Sequence, residues 1–297
     1  MFFKDALARL TNAKICFDEP MKKHTGYAVG GCARYYAEID SLFSLNLLVS
    51  LCKEYRVKYK VIGNGTNILV SDLGFNGLII DTKRLNDVFM KRTQVKAMAG
   101  ANLEKLIKFG LEHRLSGLEA LSGIPATVGG AVAMNAGAFG HNVSDYISTV
   151  ETLENGKIKI YDKCDCKFAY RSSRFLDKKA VIVSAVFDLP SADKEIIKAS
   201  IKTYTELRRS IQPLGRSCGS VFKNPKPYSA GTLIEKAGLK GFCIGGAKVS
   251  DKHANFIITT PKAKSKDVYS LIIHIKQKVK DAFGVELSEE VECVGEF

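Results

Sequence analysis

The chain has 297 residues, of which 46% are hydrophobic and 25% are charged, and its formal net charge is +13. A chain of this length is expected to fold as two or three lobes rather than around one core. No apolar run approaches the roughly 20 residues of a bilayer-spanning helix, and the charged start MFFKDALARL argues against a secretory signal. These features predict a cytoplasmic protein without membrane insertion.

The eight cysteines and five histidines are scattered without the spacing of a metal site. No C-x-x-C pair or H-E-x-x-H motif occurs, and isolated thiols in a cytosolic protein are usually small buried side chains, so no metal is predicted. The basic charge fits a solvated surface, a nucleic-acid partner or the steering of small anionic ligands. Because no recognition helix, zinc finger or basic–aromatic repeat is present, we expect steering of anionic ligands and no nucleic-acid partner.

The first third of the chain is predicted to contain two helices and three short strands. An amphipathic helix is expected over residues 1–10, and a second helix over 40–55 begins at an Asp-Ser capping pair. Strands are expected at 59–63, 67–71 and 77–81, because β-branched runs there are divided by Gly- and Asn-rich turns.

The rest of the chain shows clusters of strands and strongly periodic helices. Further helices are predicted at 102–115, 194–212, 230–237 and 267–283, and further strands at 149–154, 158–161, 180–188, 255–259 and 289–295. Strands that occur in clusters, rather than in regular β-α-β alternation, indicate the α+β class. Breaks in the pattern predict lobe boundaries near residues 78 and 207.

Two glycine-rich segments carry the clearest ligand-binding signal. In VIGNGTNILV (61–70) the glycine loop precedes a β-branched run rather than a helix, which excludes a Rossmann motif. Alone, this loop is more typical of an Asn-Gly hairpin turn than of a nest of N–H groups around an anion. Residues 122–140 are rich in glycine and alanine, which permits close approach to a flat ligand or tight packing. Together the two segments predict a dinucleotide held in extended form between two lobes.

Seven segments occur in an order that resembles one bacterial enzyme family. They are HTGYAVGG (24–31), GNGTNILVSDLGFNGLII (63–80), GLEALSGIPATVGGAVAMNAGAFG (117–140), YRSSRF (170–175), GSVFKNP (219–225), AGTLIEKAGLKG (230–241) and LSEEVECVG (287–295). Over nearly its whole length the chain resembles the compact form of UDP-N-acetylenolpyruvoylglucosamine reductase, a flavoenzyme family that completes UDP-N-acetylmuramate for peptidoglycan.

The resemblance implies a two-lobed FAD-binding region of the vanillyl-alcohol-oxidase/PCMH type, over residues 1–78 and 79–206. It also implies a C-terminal α+β substrate-binding domain over 207–297. Non-covalent FAD would lie between the lobes, NADPH would be the co-substrate, and a monomer is expected. The implied FAD-binding residues are Gly63, Asn64, Gly65, Thr66, Asn67, Ile124, Thr127, Gly129, Gly130, Asn135, Gly137 and Ala138.

The family reaction moves hydride from NADPH to FAD and then to an enolpyruvyl ether, and it adds a proton. Hydride attack drives charge into the adjacent carboxylate, so a fixed cation and hydrogen-bond donors are needed there. By resemblance Arg171 is the catalytic arginine, whose planar fork suits a carboxylate. Ser220 is the proton donor and Glu290 the catalytic glutamate. Since serine is a weak acid, a nearby cation must favour loss of its proton, which later returns from solvent.

Substrate binding is implied for Arg208, Lys223, Asn224 and His253. Ile211 stands where one pattern of the family has a lysine, so the carboxylate clamp is expected to differ here. The local sequence leaves ordinary alternatives open: RSSR also reads as an exposed turn, Ser220 as a loop serine and His253 as a structural histidine. Glu289 adjoins Glu290, and one of the two must simply be solvated.

Two other functions fit parts of the sequence. An FAD-linked oxidase would use the same cofactor fold, although YRSSRF and GSVFKNP favour reduction of an enolpyruvyl group. A non-catalytic basic module that binds nucleic acid or sugar nucleotides would explain the charge alone. A purified protein that is yellow and is bleached by NADPH without air would reject the second alternative.

Overall fold

The computed structural model of the chain describes residues 2–11, 13–176 and 180–297. Within these ranges it contains seven α-helices: α1 (Phe3–Ala8), α2 (Leu42–Glu54), α3 (Leu103–Glu112), α4 (Val128–Ala133), α5 (Lys194–Ile211), α6 (Ala230–Lys236) and α7 (Ser265–Phe283). The same ranges contain sixteen strands: β1 (Lys14–Pro20), β2 (Cys32–Glu38), β3 (Tyr59–Ile62), β4 (Ile68–Val70), β5 (Phe75–Asp81), β6 (Val88–Lys91), β7 (Gln94–Met98), β8 (Gly137–Ala138), β9 (His141–Asn142), β10 (Ile147–Glu154), β11 (Lys157–Asp162), β12 (Val181–Phe187), β13 (Cys243–Ile244), β14 (Ala247–Val249), β15 (Ile257–Thr259) and β16 (Glu292–Val294).

All six predicted helices are confirmed, and local residues explain several of their ends. Ser41 Oγ accepts a hydrogen bond from the Ser44 N–H at 3.2 Å, which caps α2. Asn102 Oδ1 accepts one from the Glu104 N–H at 3.1 Å and caps α3. Gly284, with φ of 67°, ends α7 in the left-handed conformation. The predicted helix over 1–10 includes Met1, which lies outside the described residues.

The eight predicted strands are also confirmed, but the sequence did not predict helix α4 or the strands β1, β2, β6, β7, β8, β9, β13 and β14. No residue of β1 is buried, so it has no hydrophobic alternation, and only pairing at a sheet edge makes it a strand. Similarly, β6 is an edge strand with exposed Phe89 and Met90. Helix α4 contains the glycine pair 129–130. Because glycine has a low helix propensity, the local sequence does not indicate a helix there.

By its internal contacts the chain divides into two compact units, of which the first comprises residues 1–16, 35–64 and 77–208. Its larger sheet has the order β11-β10-β12-β7-β6, and neighbouring strands are antiparallel. Every residue of the central β12 is buried. Side chains of β7, β10 and β12 pack with α3 and α4 in one hydrophobic core, which places the glycine pair of α4 on a rigid support.

A second sheet has the strand order β1-β2-β5-β3, with β3 parallel to β5. In the first unit α2 contributes Leu45 and Leu48 to a core with Leu78 and Ile80 of β5. Strand β3 ends at Ile62 and the glycine loop follows directly, so this core fixes the point from which the loop departs.

The second unit comprises residues 17–34, 65–76 and 209–297. It contains the sheet β13-β14-β15 and the parallel pair β4–β16. Its core surrounds α7, where the predicted apolar face is buried at Val268, Leu271, Ile272, Ile275 and Val279. Phe283, which was expected on this face, is exposed because it is the last residue of the helix. The predicted three-part division at residues 78 and 207 stays a prediction.

Candidate active site

The two glycine-rich segments meet in the first unit. Asn64 Nδ2 donates a hydrogen bond to the Pro125 carbonyl at 3.1 Å. A Cβ atom added to Gly63 would lie 2.1 Å from Thr127 Oγ1, so no larger residue fits without movement. The predicted cofactor residues Gly63, Asn64 and Thr127 are therefore brought together, at the turn that begins α4.

The adjacent glycines of α4 have different surroundings. A Cβ on Gly129 would lie 2.9 Å from the Ala99 Cβ, so this glycine permits tight packing of α4 on its neighbour. Gly130 is exposed, and a Cβ there would meet only Thr127 Oγ1, at 3.5 Å. That hydroxyl also accepts the Gly130 N–H at 3.3 Å. The backbone at Gly130 is thus open to a ligand, whereas the backbone at Gly129 is not.

The other predicted cofactor residues of this unit lie just before α4 or in the segment that follows it. Asn135 is buried, donates from Nδ2 to the Ala169 carbonyl at 3.0 Å and accepts the Ser144 N–H at 3.3 Å. The Asn135 side chain therefore links the segment after α4 to the main chain at Ser144 and at Ala169. Ile124 is half-buried in the turn before α4, and Gly137 and Ala138 form β8, which pairs with β9.

Gly65, Thr66 and Asn67 belong to the second unit. Gly65 is buried with φ of 63°, and its carbonyl accepts the Gly26 N–H at 2.9 Å. Asn67 Nδ2 donates to the Glu290 carbonyl at 3.0 Å, and the Asn67 carbonyl accepts the Glu292 N–H at 3.0 Å. The end of the glycine loop is therefore fastened to the backbone of the predicted catalytic glutamate.

Arg171 lies in the first unit in a strained conformation. Its φ is 51°, which is uncommon for a residue other than glycine. Nη2 donates to the Gly137 carbonyl at 2.8 Å, and the guanidinium lies 5.2 Å from the centre of the Tyr170 ring. These contacts fix the direction of a half-buried cation beside the predicted cofactor residue Gly137.

Ser220 and Glu290 are half-buried neighbours in the second unit. The Val221 carbonyl accepts the Glu290 N–H at 2.7 Å, and the Lys223 N–H donates to the Ser288 carbonyl at 2.9 Å. The segment from Ser220 to Lys223 therefore runs beside the segment that carries Glu290, and the hydrogen bond of Glu290 is made to Val221, the residue that follows Ser220.

The two adjacent glutamates differ in their surroundings. Glu289 Oε1 accepts a hydrogen bond from Lys276 Nζ at 2.6 Å, and both side chains are about one-third exposed, at 33% and 35%. Glu289 thus forms a surface ion pair on the side of α7. Glu290, in contrast, is positioned through its backbone by hydrogen bonds with Val221 and Asn67.

Arg208, a predicted substrate residue near the end of α5, is engaged within the first unit. Its Nε donates to the Ser122 carbonyl at 2.8 Å, and its guanidinium lies 5.3 Å from the centre of the Phe139 ring. Burial lowers the pKa of this guanidinium from its usual value, although not enough to change its charge near neutral pH. The cation therefore holds the turn at 122–123 and the β8–β9 hairpin.

The three other predicted substrate residues lie in the second unit. Asn224 Oδ1 accepts the Ala230 N–H at 3.0 Å, at the start of α6. His253 Nδ1 accepts the Asn255 N–H at 3.2 Å, its ring meets Phe256 edge-on, and burial lowers its pKa. Lys223 is half-buried. Asn224 and His253 thus have visible structural tasks, which agrees with the ordinary alternative left open for His253.

Asn255 was not singled out by sequence reading, yet it contacts the Ser220 segment directly. Its N–H, its carbonyl, its Oδ1 and its Nδ2 all form hydrogen bonds, and only 4% of the residue is exposed. The signal in the sequence was an amide at the start of the apolar run NFIIT. A buried polar side chain needs a partner there, but the sequence does not say which one.

No group of three or more His, Cys, Asp or Glu side chains within residues 2–11, 13–176 and 180–297 is placed to hold a metal ion. The helices of these ranges also lack the combined length and apolar character that a bilayer crossing requires. The eight cysteines are free thiols, and burial raises the pKa of Cys218 to about 12.

Comparison with known families identifies both parts of the chain. Residues 33–159 match the family model of an FAD binding domain, and residues 212–294 match that of the UDP-N-acetylenolpyruvoylglucosamine reductase C-terminal domain. The glycine loop at 63–64 and the open backbone at Gly130 fit a flat dinucleotide of this kind. FAD is therefore the cofactor of this chain. The predicted α+β class, with an FAD-binding region of the vanillyl-alcohol-oxidase type and a C-terminal α+β domain, is confirmed.

Individual proteins resemble the chain over nearly its full length. A UDP-N-acetylenolpyruvoylglucosamine reductase of Carboxydothermus hydrogenoformans is 44% identical, with 99% of this chain and 98% of the relative covered. One of Caldanaerobacter subterraneus subsp. tengcongensis is 42% identical, with 97% and 96% covered.

Solved structures agree with these matches. The crystal structure of UDP-N-acetylenolpyruvylglucosamine reductase from Thermus caldophilus has a TM-score of 0.82 at 32% identity, with 95% of this chain and 99% of that chain covered. A BBE-like protein of Physcomitrella patens, with a TM-score of 0.51 and 16% identity over 64% of this chain, shares the fold alone. As its seven ordered motifs predicted, the chain belongs to the UDP-N-acetylenolpyruvoylglucosamine reductase family.

Proposed function

We propose that this chain reduces UDP-N-acetylglucosamine-enolpyruvate to UDP-N-acetylmuramate with NADPH, in the cytoplasmic synthesis of peptidoglycan precursors. Family membership supports the reaction. One observation carries the assignment of residues: the 2.7 Å hydrogen bond from the Glu290 N–H to the Val221 carbonyl, which keeps Ser220 and Glu290 on adjacent segments. When bound, FAD supplies the hydride transfer, so binding, polarisation and protonation are left to the protein.

Arg171 binds the carboxylate of the enolpyruvyl group. Its guanidinium stays charged throughout, and its planar fork can donate two parallel hydrogen bonds to a carboxylate. The contact between Nη2 and the Gly137 carbonyl supports this role, because it orients the fork before substrate arrives. A preorganised donor of this kind is typically worth about 3–4 kcal/mol in the transition state.

Ser220 donates a proton to the second carbon of the enolpyruvyl group and regains one from solvent. The position of Ser220 supports this role, because its main chain pairs with that of Phe256 and it precedes the hydrogen-bonded Val221. Glu290 is the second catalytic residue of this unit. The choice of Glu290 over its neighbour is supported by its backbone contacts, since its N–H is bonded to the Val221 carbonyl next to Ser220 and its carbonyl accepts a hydrogen bond from Asn67 Nδ2.

Cofactor and substrate contacts follow from the same segments. The backbone and side chains of residues 63–67, together with Thr127 and Gly130, hold the FAD diphosphate, and residues 124–138 face its ring system. Arg208 and Asn224 contact the diphosphate or the carboxylate of the substrate, and Lys223 is a weaker candidate for the same contact. His253 faces the nucleotide, alongside the structural contacts that it makes with Asn255 and Phe256. The net charge of +13 speeds the encounter with these anionic ligands. The protein acts as a monomer on small molecules, with no nucleic-acid partner.

An anaerobic experiment on the two half-reactions tests the proposal. The bound flavin is reduced with NADPH, the enolpyruvyl nucleotide is added, and reoxidation of the flavin is followed by absorbance. Ser220→Ala should reduce with NADPH at the normal rate and reoxidise at least 100-fold more slowly, because only the second step needs the proton. Arg171→Lys should also slow reoxidation, since a point charge does not replace the fork.

Ser288→Ala is the matched control, because Ser288 lies on the neighbouring segment and contacts Lys223 only through its carbonyl. This variant should keep both half-reactions. Equal slowing of both steps by Ser220→Ala would contradict its role as proton donor. A wild-type flavin that NADPH reduces but the enolpyruvyl nucleotide does not reoxidise would contradict the proposed reaction itself.

A further inference from the structure

A buried amide in the second unit is bonded to the main chain just after Ser220. Asn255 Oδ1 accepts the Phe222 N–H at 3.0 Å, and Asn255 Nδ2 donates to the Phe222 carbonyl at 2.8 Å. The Asn255 carbonyl also accepts the Val221 N–H at 2.9 Å. Asn255 thus makes three hydrogen bonds to the main chain of two consecutive residues. This pattern resembles the pairing of one β-strand with its neighbour, although two of the bonds come from a side chain.

The backbone groups of residues 221–222 have few other hydrogen-bond partners within reach. Phe222 is only 1% exposed, so water does not replace the amide at its N–H and carbonyl groups. On its other side the segment is bonded to the Glu290 region through the Val221 carbonyl. A shift of the main chain at residues 221–222 would therefore move Ser220, which directly precedes it, and Glu290, which is hydrogen-bonded to it.

We infer that Asn255 is a positioning residue, which fixes the place of Ser220 and Glu290 by pairing with the main chain of Phe222; this rests on the proposed function. The amide is suited to the task because it offers one acceptor and one donor side by side. An ionised carboxylate offers acceptors only and would repel the Phe222 carbonyl. A protonated carboxyl again offers one acceptor and one donor with nearly the same shape.

The test measures both half-reactions in holoenzyme variants. Asn255→Leu should slow flavin reoxidation by the enolpyruvyl nucleotide about 100-fold, which is the typical cost of a misplacement near 1 Å. Reduction by NADPH should change less than threefold. Asn255→Asp should be slow at pH 8. Because the site is buried, the pKa of the introduced carboxyl is raised, and its deficit relative to wild type should shrink at least tenfold as the pH falls to 5.5 and the carboxyl is protonated.

Thr259→Val is the matched control. Thr259 is also buried, lies in the same sheet region, and donates from Oγ1 to the Tyr27 carbonyl, so the variant loses a buried hydrogen bond without touching residues 220–222. Its half-reactions should match wild type. Equal slowing in Thr259→Val and Asn255→Leu, or a constant deficit of Asn255→Asp at all pH values, overturns the positioning role.

Amide hydrogen exchange separates this inference from the proposed reaction. Exchange in the peptide that covers residues 220–223 should be faster in Asn255→Asp at pH 8 than in Thr259→Val. Unchanged protection overturns the inference even if the reaction is as proposed. If wild-type flavin is not reoxidised by the enolpyruvyl nucleotide, the proposed function fails, and the catalytic part of the inference fails with it.

Discussion

Replacement of Gly130 by alanine separates packing from cofactor binding in α4. Because Gly130 is exposed and its added Cβ would meet only Thr127 Oγ1 at 3.5 Å, the apoprotein should accept the methyl group without strain. Alanine is favoured over glycine in a helix by about 0.5–1 kcal/mol, so the melting temperature of the apoprotein should rise by about 1–3 °C. If FAD approaches this backbone, the methyl group should cost about 1–3 kcal/mol of binding, or about 5- to 150-fold in Kd.

The assay is titration of the apoprotein with FAD, followed by quenching of flavin fluorescence, together with calorimetry of the apoprotein. Gly129→Ala is the contrasting variant, because its Cβ would lie 2.9 Å from the Ala99 Cβ and should lower the stability of the apoprotein. An unchanged Kd for FAD in Gly130→Ala would show that the cofactor does not approach this backbone, and the assignment of the open face would be wrong.

Two further predictions concern charged residues. Glu290→Gln should slow flavin reoxidation strongly, and normal turnover of this variant would reject the catalytic role of Glu290. Glu289→Gln should keep both half-reactions, since it loses only a surface pair with Lys276 worth about 0–1 kcal/mol. Burial alone would raise the pKa of Glu151, but hydrogen bonds from Lys96 and Ser184 outweigh it, so the pKa lies below that of an ordinary glutamate. The ion pair of Glu151 with Lys96 therefore stabilises the fold at neutral pH, and this stabilisation is lost as the pH falls through the lowered pKa. Lys96→Met should therefore cost about 2 kcal/mol in urea unfolding at pH 7, and the difference from wild type should shrink below about pH 4.5; a difference independent of pH would refute this reasoning.

Family membership and most of the fold could be predicted from local sequence. Helices α2, α3, α5 and α7 were found because each has an apolar period and most have a recognisable end, such as Asn102 before α3 or Gly284 after α7. The ordered motifs were sufficient to predict the cofactor, since seven segments in one order are far more specific than any glycine loop.

The sequence alone determined the buried periodic elements and the residue types available for the chemistry, because both depend on side chains that are close along the chain. Only the tertiary structure distinguished Gly129 from Gly130 and Glu289 from Glu290, because each neighbouring pair is identical in type and differs only in distant contacts. It also brought Asn255 to Phe222, 33 residues away, to satisfy buried backbone groups. Such pairings depend on how the chain packs in three dimensions, which no local pattern records.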